Sequence, residues 1–256
     1  MTNPQPTPTS SHRATYRVRF DESTPAGVAR TSVLLRYAQD VAWAHSEALG
    51  FDRAWYAERG LAWLVRAAEL AVLRPIPMGS LLEVVTSVVG HRRVWARRRG
   101  EFRLEGQGGD GLIAWVHTDW VLIDGRGRIT RVPEVFGTTF PAPLSNDTLG
   151  RVALPAAPTS AVRGRFRVRA HELDPMDHVN NAVYVDWLEE SILAAGADDG
   201  SGAASIARVP RRYRLEYAAA AAAGVEVETE TWPDGEGWAH RTIAAGVDML
   251  RARLDR

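Results

Sequence analysis

Cysteine is absent from the 256 residues, which excludes disulfides, thiolate metal sites and any cysteine nucleophile. Lysine is absent as well, so all 31 side-chain cations besides histidine are arginine, a compositional habit rather than a functional signal. Against 31 Asp+Glu the formal net charge is +0, which leaves no global basic field to draw the chain to nucleic acid. No apolar run approaches the roughly 20 residues of a membrane helix. The opening residues MTNPQPTPTSS lack the basic and apolar parts of a secretory leader, so the expectation is a soluble, cytoplasmic chain with no membrane partner. No G-x-S-x-G elbow and no histidine pair with zincin spacing occur. What is present is globular in composition, 45% hydrophobic and 24% charged, in about twice the usual length of one domain.

That length is read as two halves. A Pro/Ala/Ser-rich stretch over 141–160 interrupts the periodic pattern and reads as a linker between a first half, 14–140, and a second, 161–256, with a flexible tail over 1–13. In the first half ATYRVRF from Ala14 alternates like a strand, and Val33, Leu34, Tyr37, Val41 and His45 recur at helical spacing. Strand-like runs follow at 61–74, 81–90, 93–105 and 112–124. The second half repeats the order, with a strand at 164–170, a helix over 181–195, then runs at 205–218, 225–232, 237–245 and 247–255. An ungapped offset of 150 lays Arg17-Val18-Arg19 on Arg167-Val168-Arg169, Glu22 on Glu172, Pro25 on Pro175 and Val33 on Val183. The expected fold is therefore α+β: two tandem units, each with one long helix packed on an antiparallel sheet, able to join sheet edge to sheet edge.

The halves differ where chemistry is expected. The offset sets Asp174 and His178 opposite Thr24 and Val28, so only the second half carries an acid and an imidazole between strand and helix. A purely structural account makes Asp174 a turn residue and Asn180 or Asn181 a helix cap, but capping requires neither the histidine nor a second asparagine. The free N–H groups expected near Val179–Ala182 at the helix start can hold an oxyanion formed as a thioester or ester carbonyl is attacked.

The segment HVNNAVY from His178, preceded by Asp174 and followed by Trp187 and Glu190-Ser191, resembles the active-site segment of hotdog-fold thioesterases. With the double length, QDVAWAH from Gln39 and WVLID from Trp120, the chain is similar to the acyl-acyl carrier protein (ACP) thioesterases, a tandem-hotdog family. The resemblance implies a double hotdog with an acyl-binding first half and a catalytic second half, and hydrolysis of acyl-ACP to fatty acid and ACP without a cofactor. It places the catalytic pair at Asp174 and His178 and a Glu-Cys pair at Glu216-Tyr217, where the cysteine is missing. Met176 stands where the plant enzymes carry Asn. Asp174 is left as nucleophile or water-activating base, with His178 orienting substrate or stabilising charge. Val179, Asn180 and Asn181 are expected beside the thioester, and Val33, Leu34, Tyr37 and Val41 along the acyl chain. Arg211 and Arg212, in a local basic cluster, are candidates for docking an acidic carrier.

Acyl-CoA hydrolysis, a hotdog dehydratase or hydratase, and a non-catalytic acyl-binding module are the rival readings, and the assembly is either a monomer with an internal pseudo-dimer or a homodimer. GQGGDG from Gly106 spells a dinucleotide fingerprint but joins two strands, so it reads as a hairpin loop. Asp174, Asp177 and His178 lack a fourth ligand, and no metal site is read there. His45 reads as a core histidine; Glu69 is either edge-facing, the preferred reading, or a polar group in the substrate region; and the basic run 91–99 reads as a solvated strand face, although an acidic carrier would need a patch of this kind.

Overall fold

A computed structural model describes residues 11–106, 111–140 and 150–256. The chain divides into two compact units, Met1–Arg66 with Pro75–Leu149, and Ala67–Arg74 with Gly150–Arg256.

In the first unit, strand β1 (Ser11–Arg17) leads through a 3-10 turn at Phe20–Glu22 into helix α1 (Thr31–Ala48), followed by the short helix α2 (Arg53–Glu58). The first stretch of strand β2 (Leu61–Val72), up to Arg66, with β3 (Leu81–Arg92), β4 (Trp95–Leu104), β5 (Leu112–Asp124) and helix α3 (Glu134–Thr139), completes it. The antiparallel strand order is β1-β3-β4-β5-β2. Helix α1 buries Val33, Leu34, Tyr37, Ala38, Val41, Ala42 and His45, the i, i+3, i+4 set of one face. The sheet meets that face closely: a Cβ on Gly100 would sit 2.8 Å from Val116 Cγ1 and 3.7 Å from Ala38 Cβ. Since side chains alternate along a strand, Arg98 and Phe102 share the helix-facing side of β4 with Gly100.

The second unit repeats the plan. Strand β6 (Val162–Arg167), a 3-10 turn at Ala170–Glu172, helix α4 (Val183–Ala195) and helix α5 (Ser201–Ala207) precede β7 (Arg211–Tyr217), β8 (Glu226–Asp234), β9 (Gly237–Ala244) and β10 (Val247–Asp255). The order β6-β8-β9-β10-β7 mirrors the first unit, and the second stretch of β2, Ala67–Val72, pairs antiparallel with β7. Helix α4 buries Val183, Tyr184, Trp187, Leu188 and Ile192 against this sheet.

Several expectations need correction. Ser11, His12 and Arg13, assigned to the tail, are paired residues of β1 opposite Ser87, Thr86 and Val85, while residues 1–10 lie outside the described ones. The run 205–218 is not one strand, because its beginning belongs to α5. Gly202 explains the difference: a Cβ there would lie 2.3 Å from the Ile192 carbonyl oxygen, so only glycine lets α5 dock on the end of α4. Glu69 is not edge-facing; β2 pairs with β7 beside it, and its carboxylate, 9% exposed, forms an ion pair with Arg212. Of the linker reading, 141–149 lies outside the described residues and 150–160 has no helix or strand. Strands β4 and β5 pair antiparallel on either side of the glycine-rich segment, whose residues 107–110 lie outside the described ones.

Candidate active site

The turn between strand and helix is built the same way in both units. The Thr24 N–H donates to the Val28 carbonyl at 2.7 Å, and the Asp174 N–H to the His178 carbonyl at 2.8 Å. The Gly27 N–H returns to Thr24 O and the Asp177 N–H to Asp174 O, each at 2.9 Å. Gly27 and Asp177 both hold a left-handed backbone, φ 72° and 61°. Bridges Ser23↔Ala29 and Leu173↔Val179 close the two loops.

A buried glutamate fixes each loop to its helix. Glu22 accepts the Arg19 N–H at 2.9 Å and the Tyr37 hydroxyl at 2.5 Å. Glu172 accepts the Arg169 N–H at 2.7 Å and the Trp187 indole N–H at 3.1 Å. Tyr37 and Trp187 are 150 residues apart, so the offset carries the strut as well as the strands. Burial, and then the adjacent Glu22 carboxylate, push the Tyr37 phenol well above its ordinary pKa. Its hydroxyl therefore stays protonated and serves the strut, which is a structural role for a residue expected along the acyl chain. Val33, Leu34 and Val41 are buried in the first unit's core.

On this scaffold the second unit places Asp174 half-buried, its Oδ1 accepting the Met176 N–H at 2.8 Å in a local turn. No other hydrogen bond to this carboxylate is found among the described residues, which leaves Oδ2 open. His178, also half-buried, makes no side-chain hydrogen bond among them. The helix start is less open than expected. The Val179 N–H goes to Ala221 O at 2.9 Å, the Asn180 N–H to Glu172 O at 2.9 Å, and the Ala182 N–H to Asn180 Oδ1 at 2.9 Å. Among these four amides Asn181 alone keeps a donor without an acceptor among the described residues. Asn180, expected beside the thioester, uses its side-chain oxygen as a cap.

Two tyrosines back the loop. Tyr217 donates to Asn181 O at 3.1 Å, and its ring meets Tyr184 edge-on at 5.7 Å. Burial raises Tyr184 to about 12 despite the Ala221 N–H it accepts, and the negative charge of Asp174 adds to the rise. The Asp174 charge thus reaches the Tyr184 hydroxyl. The alanine-rich stretch after β7, whose Ala221 anchors both Val179 and Tyr184, was not singled out in the sequence because it contributes only backbone atoms.

Glu216 is not brought into this group by any hydrogen bond. Tyr213, Leu215 and Tyr217 occupy the α4 side of β7, with Tyr213 donating to Glu189 at 2.5 Å, so Glu216 points to the opposite face. There its buried carboxylate accepts the Val152 N–H at 3.0 Å. Arg212 is held by Glu69, and Arg211 donates to the Tyr213 hydroxyl at 3.0 Å and the Arg208 carbonyl at 3.3 Å. Both guanidinium groups are engaged within the unit.

Models of the acyl-ACP thioesterase N-terminal domain and C-terminal domain match residues 9–138 and 156–242. The chain belongs to the acyl-ACP thioesterase family. Among curated proteins it is 24% identical over 193 residues to the dodecanoyl-[acyl-carrier-protein] hydrolase of Cinnamomum camphora, covering 70% of this chain and 50% of that one. The chain thus spans about half the length of the curated relatives it matches. Among solved structures, the 12:0-ACP thioesterase from Umbellularia californica is similar with a TM-score of 0.75 and 23% identity, covering 96% of each chain. An acyl-ACP thioesterase from Bacteroides thetaiotaomicron gives a TM-score of 0.76 at 13% identity, over 95% of this chain and 96% of that one. The fold of this family member is accordingly a hotdog fold, a large antiparallel sheet with few helices.

Proposed function

We propose that this chain is a double hotdog that hydrolyses acyl thioesters, with acyl-ACP as substrate and a fatty acid and ACP as products, and that the second unit performs the chemistry. One observation carries the reading beyond family membership. Two loops with the same backbone hydrogen bonds hold Thr24 and Val28 in one unit and Asp174 and His178 in the other. The scaffold needs neither functional side chain, so their presence in one copy calls for another reason.

In the proposed step, Asp174 Oδ2 acts on the thioester carbonyl. As a base it takes a proton from water while the water oxygen bonds to the carbonyl carbon; as a nucleophile it forms that bond itself, and water later opens the resulting anhydride. Both routes build an oxyanion, for which the Asn181 N–H is the candidate donor, and both break the carbon–sulfur bond; in the base route the proton taken from water passes to the departing thiolate, and in the nucleophile route the thiolate leaves first and takes up the proton released when water opens the anhydride. His178 lies on the same loop and orients the carbonyl or stabilises developing charge. Acyl-CoA offers the same carbon–sulfur bond, and a panel of acyl-ACP and acyl-CoA substrates distinguishes the carriers. Asp174→Asn keeps the turn, since its remaining oxygen still accepts the Met176 N–H, but removes the base. It should lower thiol release by two or more orders of magnitude with an unchanged melting temperature. Near wild-type turnover would remove Asp174 from the mechanism.

A further inference from the structure

Two side chains of the second unit grip one peptide group at the head of helix α4. A peptide group is planar, so holding it at both its carbonyl and its N–H fixes its plane. For the Asn181–Ala182 peptide both grips are side chains. The Tyr217 hydroxyl donates to Asn181 O at 3.1 Å, and Asn180 Oδ1 accepts the Ala182 N–H at 2.9 Å in an Asx turn. The preceding peptide, which carries the Asn181 N–H, is held through Asn180 O by the Val183 N–H at 2.9 Å. Both planes that meet at Asn181 are therefore fixed, and with them the direction of its N–H. Tyr217 is buried, and burial pushes its phenol well above the ordinary range, so the hydroxyl keeps the proton it donates.

The first unit shows that the fold does not require this clamp. Its Ala29 N–H donates to Ile76 O at 2.8 Å as Val179 does to Ala221 O at 2.9 Å, and its Val33 N–H donates to Arg30 O at 3.2 Å as Val183 does to Asn180 O. The main-chain pattern is thus the same. Counted back equally from Ile76 and Ala221, however, strands β2 and β7 end on Val72 and on Tyr217. Val72 has no hydroxyl, and Arg30, which holds the place of Asn180, supplies no side-chain cap to α1. Both gripping groups are therefore confined to the unit that carries Asp174 and His178. A hydrogen-bond donor in an active site acts only when it points at the developing charge, and a small misplacement costs rate.

We propose that Tyr217 and Asn180 are positioning residues for hydrolysis: together they aim the Asn181 N–H at the oxyanion that forms when Asp174 acts on the thioester carbonyl. Neither acts on the reacting atoms itself. The inference rests on the proposed function, and its test separates the two.

Thiol release by the full chain from octanoyl-, dodecanoyl- and hexadecanoyl-ACP selects the substrate on which variants are compared. Tyr217→Phe keeps the ring that meets Tyr184 and removes the hydroxyl alone. It should lower kcat about tenfold or more and leave KM within about twofold. It should also leave unchanged the affinity for the matching acyl-ACP thioether, in which a methylene replaces the carbonyl. A hydroxyl with a merely structural role would weaken thioether binding and raise KM as the site loosens. If Tyr217→Phe fails to fold, Asn180→Ala decides: it should lower kcat severalfold in the same pattern, and Asn180→Ser, which restores an acceptor, should recover most of the loss. Near wild-type kcat in folded Tyr217→Phe or in Asn180→Ala, or a loss shared by thioether binding, would overturn the inference while leaving the proposed function standing. No release by the wild type from any of the three substrates, or undiminished release by Asp174→Asn, would remove both.

Discussion

Acidification should destabilise the second unit through one residue, His240 on β9. Its ring is fully buried, with Nδ1 2.8 Å from Thr231 Oγ1 and Nε2 3.0 Å from Thr242 Oγ1. Two hydroxyls suit a neutral ring, one donating and one accepting, and among the described residues no carboxylate is bonded to it to favour the cation. Burial accordingly lowers its pKa from 6.5 to about 3. The unfolded chain binds a proton at this histidine below pH 6.5 and the folded chain refuses it until near pH 3, so the stabilisation is whole above 6.5 and falls as the pH drops. Each pH unit within that window costs about 1.4 kcal/mol, so the loss between pH 7 and pH 5 is about 2 kcal/mol. That is a large fraction of the roughly 5–15 kcal/mol that holds a typical domain folded. Urea unfolding followed by tryptophan fluorescence at the two pH values measures it, with His240→Gln as the control for the other six histidines among the chain's seven. The variant should be weaker than wild type at pH 7 but lose about 2 kcal/mol less on going to pH 5. Equal losses in the two proteins would refute the argument.

Two further predictions test the loop. Asp177 holds a left-handed φ of 61° where the first unit has glycine, so Asp177→Gly should be neutral or stabilising by up to about 1 kcal/mol and leave turnover intact. A clear loss of stability in a thermal melt would show that the Asp177 side chain contributes a contact the geometry does not reveal. Removing the charge from either strut, Glu22→Gln or Glu172→Gln, should cost about 2 kcal/mol, because each carboxylate accepts hydrogen bonds that the neutral amide matches less well. Only Glu172→Gln should also lower kcat in a thiol-release assay. An equal kcat loss from Glu22→Gln would contradict the division of labour between the units.

Much of this was legible in the residues because the repeat is ungapped where it matters. Glu22 and Glu172, Thr24 and Asp174, Val28 and His178 keep one offset, and the backbone hydrogen bonds keep it too. The long helices were readable from apolar spacing; α2 and α3, with 6 residues each, are too short to show a period. Helix α5 was hidden because its alanine- and glycine-rich sequence carries no amphipathic signal and forms by docking on α4. Glu216 shows what a resemblance leaves open: it names the position, while alternation along the strand sets the face, and here Tyr213 and Tyr217 take the α4 side and Glu216 the other. The run 91–99, read as a solvated strand face, is not one throughout, since the pleat turns one of three consecutive strand arginines inward and Arg98 meets His45 of α1.

The two loops also show why one copy can exchange Thr24 and Val28 for Asp174 and His178 on an unchanged backbone. Their shape is fixed by main-chain hydrogen bonds, by a left-handed residue and by a glutamate behind the helix, none of which involves the side chain at 28 or 178. The side chain at the first loop position is the point of difference. Thr24 has its hydroxyl shielded from solvent with no partner among the described residues, whereas Asp174 ties down one carboxylate oxygen and leaves the other open. An alcohol hydroxyl shielded from solvent is too weak a base to activate water, while a half-bound, half-open carboxylate is both oriented and available. Backbone geometry therefore supplies the same position in both copies, and on the proposed function the side chains it carries decide whether that position does chemistry.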